Sequence, residues 1–164
     1  MKIVYLGQKQ AGCIGLLTLK ALGHDIVRVS DYDQMVYDCA QSLGIACWWI
    51  KDFAQYTIEA IQDADLLVSV HARHIVPVDL LKIPGINVHP YLYAYKGKNP
   101  VERALNDGNY RASVGVHRMT NKVDEGEVIT ELFVDASGTS TVAEVYNILY
   151  PYYSLALIDA LSKI

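Results

Sequence analysis

Asn87 and His89 stand two residues apart in Ile86-Asn87-Val88-His89-Pro90. On an extended segment side chains alternate, so these two share one side while Val88 points the other way, into the body. An amide that donates hydrogen bonds beside an imidazole that titrates near neutrality can polarise an oxygen and move a proton. The best partner for this pair elsewhere in the chain is Asp124, in Val123-Asp124-Glu125-Gly126. Each residue taken singly has a plainer use. Asn87 could satisfy a turn, His89 could be a hydrogen-bonded core histidine, and Asp124 could serve turn chemistry. Together they read as the centre of an active site.

These residues need a scaffold that brings them together, and the chain's rhythm supplies one. Ile3 to Leu6 reads as a buried strand ended by Gly7. A glycine-bearing loop from Gly7 to Gly15 follows, then a helix burying Leu16, Leu17, Leu19, Ala21 and Leu22 and ended by Gly23. Strands are expected at Asp25–Val29, Ile45–Trp48 and Asp65–Val70, and helices at Met35–Leu43 and Phe53–Ile61, the latter with Asp52 as a cap. Alternating strands and helices imply a parallel sheet with right-handed crossovers. The rhythm breaks after Val70. Further on, Asn99 and Pro100 open a helix over Val101–Asn106. Arg111–Arg118 and Glu127–Val134 are strands, with Val128, Leu132 and Val134 on one side. Thr141-Val142-Ala143-Glu144 is a capping box opening a last helix to Ile164, bent near Pro151. Tyr146, Tyr150, Tyr152 and Tyr153 crowd that bend, to build a homodimer interface or to close the core.

Other clusters carry weaker signals. Gly7, Gln8, Gly12 and Gly15 open a strand-loop-helix unit of the kind that holds anions, yet they fit neither the dinucleotide spacing nor a P-loop. Asp31 and Asp33 could hold a sugar hydroxyl or cap the next helix, and capping is preferred. His71 and His74 have the spacing of a metal pair on a helical turn, but no Cys or acid lies near, so a polar pocket-lining loop is preferred over a metal site. Tyr91, Tyr93 and Tyr95 alternate, as a strand with one aromatic face or as a loop wall against a flat ligand. Lys96 and Lys98 could meet an acceptor phosphate. His117 lies within a strand and is taken as structural.

At 164 residues the chain suits a single domain, 1–164, able to bury a core. Its net charge of −4, with no basic stripe, makes nucleic acid a poor partner. No apolar run reaches the roughly 20 residues of a membrane span. The odd set Cys13, Cys39 and Cys47 reads as reduced thiols of a cytoplasmic protein.

Asn87-Val88-His89-Pro90, Lys96-Gly97, Pro100, Val114-Gly115-Val116-His117 and Val123-Asp124-Glu125-Gly126-Glu127-Val128-Ile129 together resemble the formyltransferase core. That core is shared by glycinamide ribonucleotide, methionyl-tRNA and sugar N-formyltransferases. The resemblance is specific from Ile86 to Ile129. It implies a Rossmann-like α/β fold, a mostly parallel sheet with helices on both faces, and 10-formyltetrahydrofolate as formyl donor. It implies that Asn87 holds the formyl oxygen, His89 transfers protons, and Asp124 orients His89. It also implies a pterin held by two loops, through His71, Ala72, Arg73 and Ile75 and through Met119, Val123 and Gly126. Gly7, Gln8, Gly12, Tyr91 and Lys96 are then assigned to a small amine acceptor.

Three departures narrow the expectation. Tyr91-Leu92-Tyr93-Ala94 replaces the common Ser-Leu-Leu-Pro, and the segment to Lys96-Gly97 is one residue shorter. The opening loop lacks the Ser/Asn-rich phosphate pattern of the glycinamide ribonucleotide enzymes. The sequence given ends where methionyl-tRNA formyltransferases continue, which with the negative charge disfavours tRNA. The expected acceptor is a nucleotide-linked amino sugar. Glycinamide ribonucleotide as acceptor, hydrolysis of the donor to formate, and a non-catalytic folate or nucleotide-binding module are the alternatives.

Overall fold

The computed structural model describes residues 1–31, 33–49 and 63–164. They form two compact units, Met1–Asn87 and Val88–Ile164. The expected helix Phe53–Ile61, its cap Asp52, and Tyr32 lie outside the described residues.

In the first unit β1 (Lys2–Gly7) leads into α1 (Lys9–Ala21), β2 (Asp25–Asp31) into α2 (Gln34–Ser42), and β3 (Cys47–Trp49) and β4 (Leu66–Val70) follow. The strand order is β3-β2-β1-β4, and every pairing described is parallel. β5 (Gly85–Pro90) enters beside β4, where the Leu67 amide donates to the Pro84 carbonyl at 2.9 Å. The central strands are apolar on both sides, as a doubly covered parallel sheet requires. Ile3, Val4, Tyr5, Leu67 and Val68 are all fully buried. Asp33 caps α2, its Oδ1 accepting from the Val36 amide at 3.1 Å.

In the second unit the end of β5 is followed by a run of turns and α3 (Pro100–Asn106). Then come β6 (Arg111–Arg118), β7 (Val128–Asp135) and α4 (Val142–Leu161). β6 and β7 pair antiparallel, with Arg111 opposite Asp135 and Val114 opposite Leu132. α4 opens with the expected capping box: Thr141 accepts from the Glu144 amide and Glu144 accepts from the Thr141 amide. The helix continues through Pro151 to Leu161. It buries Val145, Leu149, Tyr153, Ala156, Leu157 and Ala160. Each large side chain among these contributes about 2 kcal/mol of transfer free energy. On β7, Thr130 turns to α4 and bonds Asp159, so the odd-numbered residues of that strand face the other way.

Several expectations are corrected. Gly7 to Gly15 is not a loop, because α1 begins at Lys9 and takes Gly12 and Gly15 into its first turns. Those glycines let the helix close on β1 and β4: a Cβ at Gly12 would meet the Gly7 carbonyl carbon at 2.7 Å, and one at Gly15 would meet Val70 at 2.8 Å. Of the residues expected on its buried side, Leu16 and Leu19 are buried, while Leu17, Ala21 and Leu22 are exposed. Tyr91 to Ala94 are turns, not a strand. Asn99 occupies the N-cap position of α3 in a left-handed conformation, and its side chain makes no capping bond. Pro100 still opens that helix as expected.

Candidate active site

β5 forms because Ile86 and Val88 supply β-branched side chains to its inner face, where both are buried. Asn87 and His89 leave the strand on the opposite face; Asn87 is half-buried and His89 is 9% exposed. The chain then turns sharply. Tyr91 adopts φ +53°, and its carbonyl accepts from the amides of Ala94 and Tyr95. The Tyr91 amide donates to the Ser113 carbonyl at 2.9 Å, which anchors the turn to β6.

This turn carries Gly97 back over His89. The Gly97 carbonyl lies 3.1 Å from Nε2 of His89, and the Gly97 amide donates to Oδ2 of Asp124 at 2.7 Å. Asp124 Oδ2 is itself 3.1 Å from Nε2 of His89. Its other oxygen, Oδ1, lies 3.2 Å from Nε2 of His117. One buried carboxylate therefore joins two imidazoles and a backbone amide. Burial alone would raise the Asp124 carboxyl. The hydrogen bonds from His117 and His89, the charge of His89 and the Gly97 amide outweigh it and hold the group well below the usual carboxylate range.

His117, expected from sequence to be structural, is buried and reaches Asp124 with Nε2, while its Nδ1 is 2.9 Å from the Arg118 carbonyl oxygen. The signal was available: a histidine in a strand of otherwise apolar, buried residues, seven positions before an acid, needs a polar partner. Gly126 closes this corner. A Cβ there would stand 1.7 Å from the Arg118 carbonyl oxygen, so only glycine lets the loop after β6 pack onto it.

Left-handed backbone at non-glycine residues is confined to five positions among the described residues; three of them, His71, Tyr91 and Asp124, were expected from sequence at the site, and Lys9 follows another such residue, Gln8. Such conformations are costly and persist where surrounding structure dictates them.

Residues 51–161 match the family model described as Formyl transferase. The chain belongs to the formyl transferase family. A methionyl-tRNA formyltransferase of Natranaerobius thermophilus is 31% identical over 134 residues, covering 76% of this chain and 43% of that protein. A GDP-perosamine N-formyltransferase of Brucella melitensis is 28% identical over 96 residues, covering 56% of this chain and 37% of that protein. The chain thus spans less than half the length of these curated relatives. The phosphoribosylglycinamide formyltransferase structure of Anaplasma phagocytophilum superposes with a TM-score of 0.84 at 20% identity, over 99% of this chain and 85% of that one. That likeness establishes the Rossmann-like fold.

Within the chain the residues assigned from sequence to the donor and acceptor fall into separate groups. In the first unit Gly7 pairs with Val70 across β1 and β4, and the Gln8 amide donates to the Val70 carbonyl at 3.3 Å. Gly7, Gln8 and His71 therefore share the C-terminal edge of two adjacent parallel strands, the place where open α/β sheets bind ligands. Gly12 is buried inside α1, one turn deeper. Ala72 is half-buried, Arg73 is exposed, and Ile75 is 78% exposed.

In the second unit Val123 is exposed and Met119 half-buried. Lys96 pairs with Glu125 at 3.2 Å, tying the Gly97 turn to the Asp124 loop from outside. Tyr91 is fully buried and spends its hydroxyl on the Asn109 carbonyl. Burial, then its neighbours Tyr93 and Tyr95, push that phenol up to about 12. The Tyr91 side chain, expected at the acceptor, is thus buried in the turn it supports.

Proposed function

We propose that this chain transfers a formyl group from 10-formyltetrahydrofolate to the amine of a small acceptor, a nucleotide-linked amino sugar. The observation that carries the reading is the His89–Asp124 pair, two residues after Asn87, in a chain of the formyl transferase family. The donor supplies an activated formyl carbon. Around that carbon Asn87 would donate to the formyl oxygen as negative charge develops on it. Losing one such donor costs about 3 kcal/mol of barrier in comparable sites. His89 would take the proton released by the attacking amine and return it to the departing nitrogen. Asp124 holds the ring for that exchange. A buried imidazole nitrogen of His89, Nδ1, has no partner among the described residues, which fits a group awaiting a proton-bearing ligand.

The amino-sugar acceptor is supported by the similarity to GDP-perosamine N-formyltransferase and by the net charge of −4. The higher identity to methionyl-tRNA formyltransferase favours a second acceptor, methionyl-tRNA, against which the charge argues. A panel decides between them. Nucleotide-linked amino sugars, glycinamide ribonucleotide and methionyl-tRNA are each incubated with 10-formyltetrahydrofolate, and formyl transfer is followed by product mass. Formylation of an amino sugar supports the reading. Formylation of methionyl-tRNA alone replaces it, and formate released without any amine makes the protein a hydrolase.

A further inference from the structure

Nε2 of His89 faces two oxygens at once, Asp124 Oδ2 at 3.1 Å and the Gly97 carbonyl at 3.1 Å. Neither brings a hydrogen to that contact: one is a carbonyl, the other a carboxylate held ionised by its surroundings. A hydrogen must therefore sit on Nε2, shared between the two acceptors. When the ring is neutral, its lone pair is then on Nδ1. That nitrogen is buried and has no hydrogen-bond partner among the described residues. An orphaned buried nitrogen is costly unless something else meets it.

Gly97 is the residue that makes this arrangement. Its carbonyl meets the imidazole and its amide meets the carboxylate, so one peptide link on either side of a single Cα clamps both partners. Both groups face the pair because Gly97 sits at φ +79°, in the left-handed region that glycine enters without penalty. A Cβ built on Gly97 meets nothing within 4 Å. The need for glycine there is thus conformational, not spatial.

Resting on the formyl-transfer reading, we propose that Gly97 is a positioning residue that fixes His89 as its Nε2–H tautomer and thereby makes Nδ1 the nitrogen that carries the proton. The amine nitrogen bonds to the formyl carbon and its surplus proton passes to Nδ1. As the bond from that carbon to the donor nitrogen breaks, the proton passes from Nδ1 to the donor nitrogen. His89 ends as it began, and no oxidant or reductant takes part.

The test uses 15N-histidine-labelled protein at pH 8, with His89→Gln to assign the His89 signals. The wild type should show the proton on Nε2. Gly97→Val, a β-branched residue that resists positive φ, should abolish that preference. It should also lower kcat about 100-fold, the cost of a misplaced catalytic group. Gly97→Asn, which tolerates the left-handed region, should retain both the tautomer and most of the turnover. Wild-type His89 protonated on Nδ1 overturns the proposal, as does a Gly97→Val protein with an unchanged His89 spectrum. The spectrum reports on the tautomer whether or not any acceptor is turned over, so failure of the functional reading is told apart from failure of this one.

Discussion

Oδ2 of Asp124 lies 3.1 Å from Nε2 of His89, although 35 positions of chain separate them, and both side chains are almost wholly enclosed. The carboxylate reaches that point because Asp124 takes a left-handed backbone at φ +54° and the Gly97 amide holds its oxygen at 2.7 Å. A buried charge so completely bonded is expensive to break.

Asp124→Asn should therefore cost both stability and turnover. Removing one partner of a buried pair costs about 3 kcal/mol or more. The loss is read as a lower urea midpoint with unchanged slope. The pH dependence has a definite sign. The folded-state pKa of Asp124 is depressed below its unfolded value, so its stabilisation is whole above about pH 4 and is lost as pH falls toward the folded value. The variant should show a flatter acid limb than the wild type in denaturation followed between about pH 2 and 5. Identical acid limbs would mean that the carboxylate is not charged in the folded protein.

His117→Leu leaves Oδ1 of Asp124 without the imidazole 3.2 Å away. Stability should fall by about 2 kcal/mol, the cost of depriving a buried polar group of a partner. Turnover should fall less than in His89→Ala, because His89 keeps its own contacts to Asp124 and Gly97. Circular dichroism melts and steady-state rates on the same preparations separate the two effects.

Gly126→Ala meets backbone, not a movable side chain: its Cβ would fall 1.7 Å from the Arg118 carbonyl oxygen. The loop must shift, and with it Asp124, two residues earlier. Destabilisation of about 3 kcal/mol or more is expected. Gly108→Ala, with nothing within 4 Å of its Cβ, tests left-handed strain alone and should cost about 1 kcal/mol. Equal midpoints for the two variants in urea would contradict the close contact at Gly126.

Lys96→Ala tests whether that lysine serves the fold or the acceptor. Its ion pair with Glu125 is solvent-exposed, so the melting temperature should scarcely move. A raised KM for a phosphate-bearing acceptor, with kcat unchanged, would assign the charge to binding. A fallen melting temperature with unchanged KM would assign it to the loops.

Much of the scaffold was legible because it follows from periodicity and punctuation. β6 was read at its observed limits, and the capping box at Thr141 named the start of α4. The boundaries of α1 were not legible. Gly12 and Gly15 look like loop residues in isolation, and only their contact with β1 and β4 shows why a helix needs them. The tyrosines at 91, 93 and 95 alternate as a strand would, but a left-handed Tyr91 breaks the extension. Residue types along the chain carry little trace of such a backbone choice. At the site, residue types and order pointed to Asn87, His89 and Asp124. They could not show that Asp124 serves a second imidazole, nor that a backbone link at Gly97 touches both ends of the pair, because those contacts belong to three-dimensional packing.

The most direct measurement follows the formyl group. Wild-type protein and His89→Ala are each given 10-formyltetrahydrofolate with a nucleotide-linked amino sugar, and the sugar is weighed by mass spectrometry. The account predicts one added formyl group with the wild type and essentially none with the variant. Formylation by the variant at the wild-type rate, or donor consumption that leaves the amine unmodified, would contradict it.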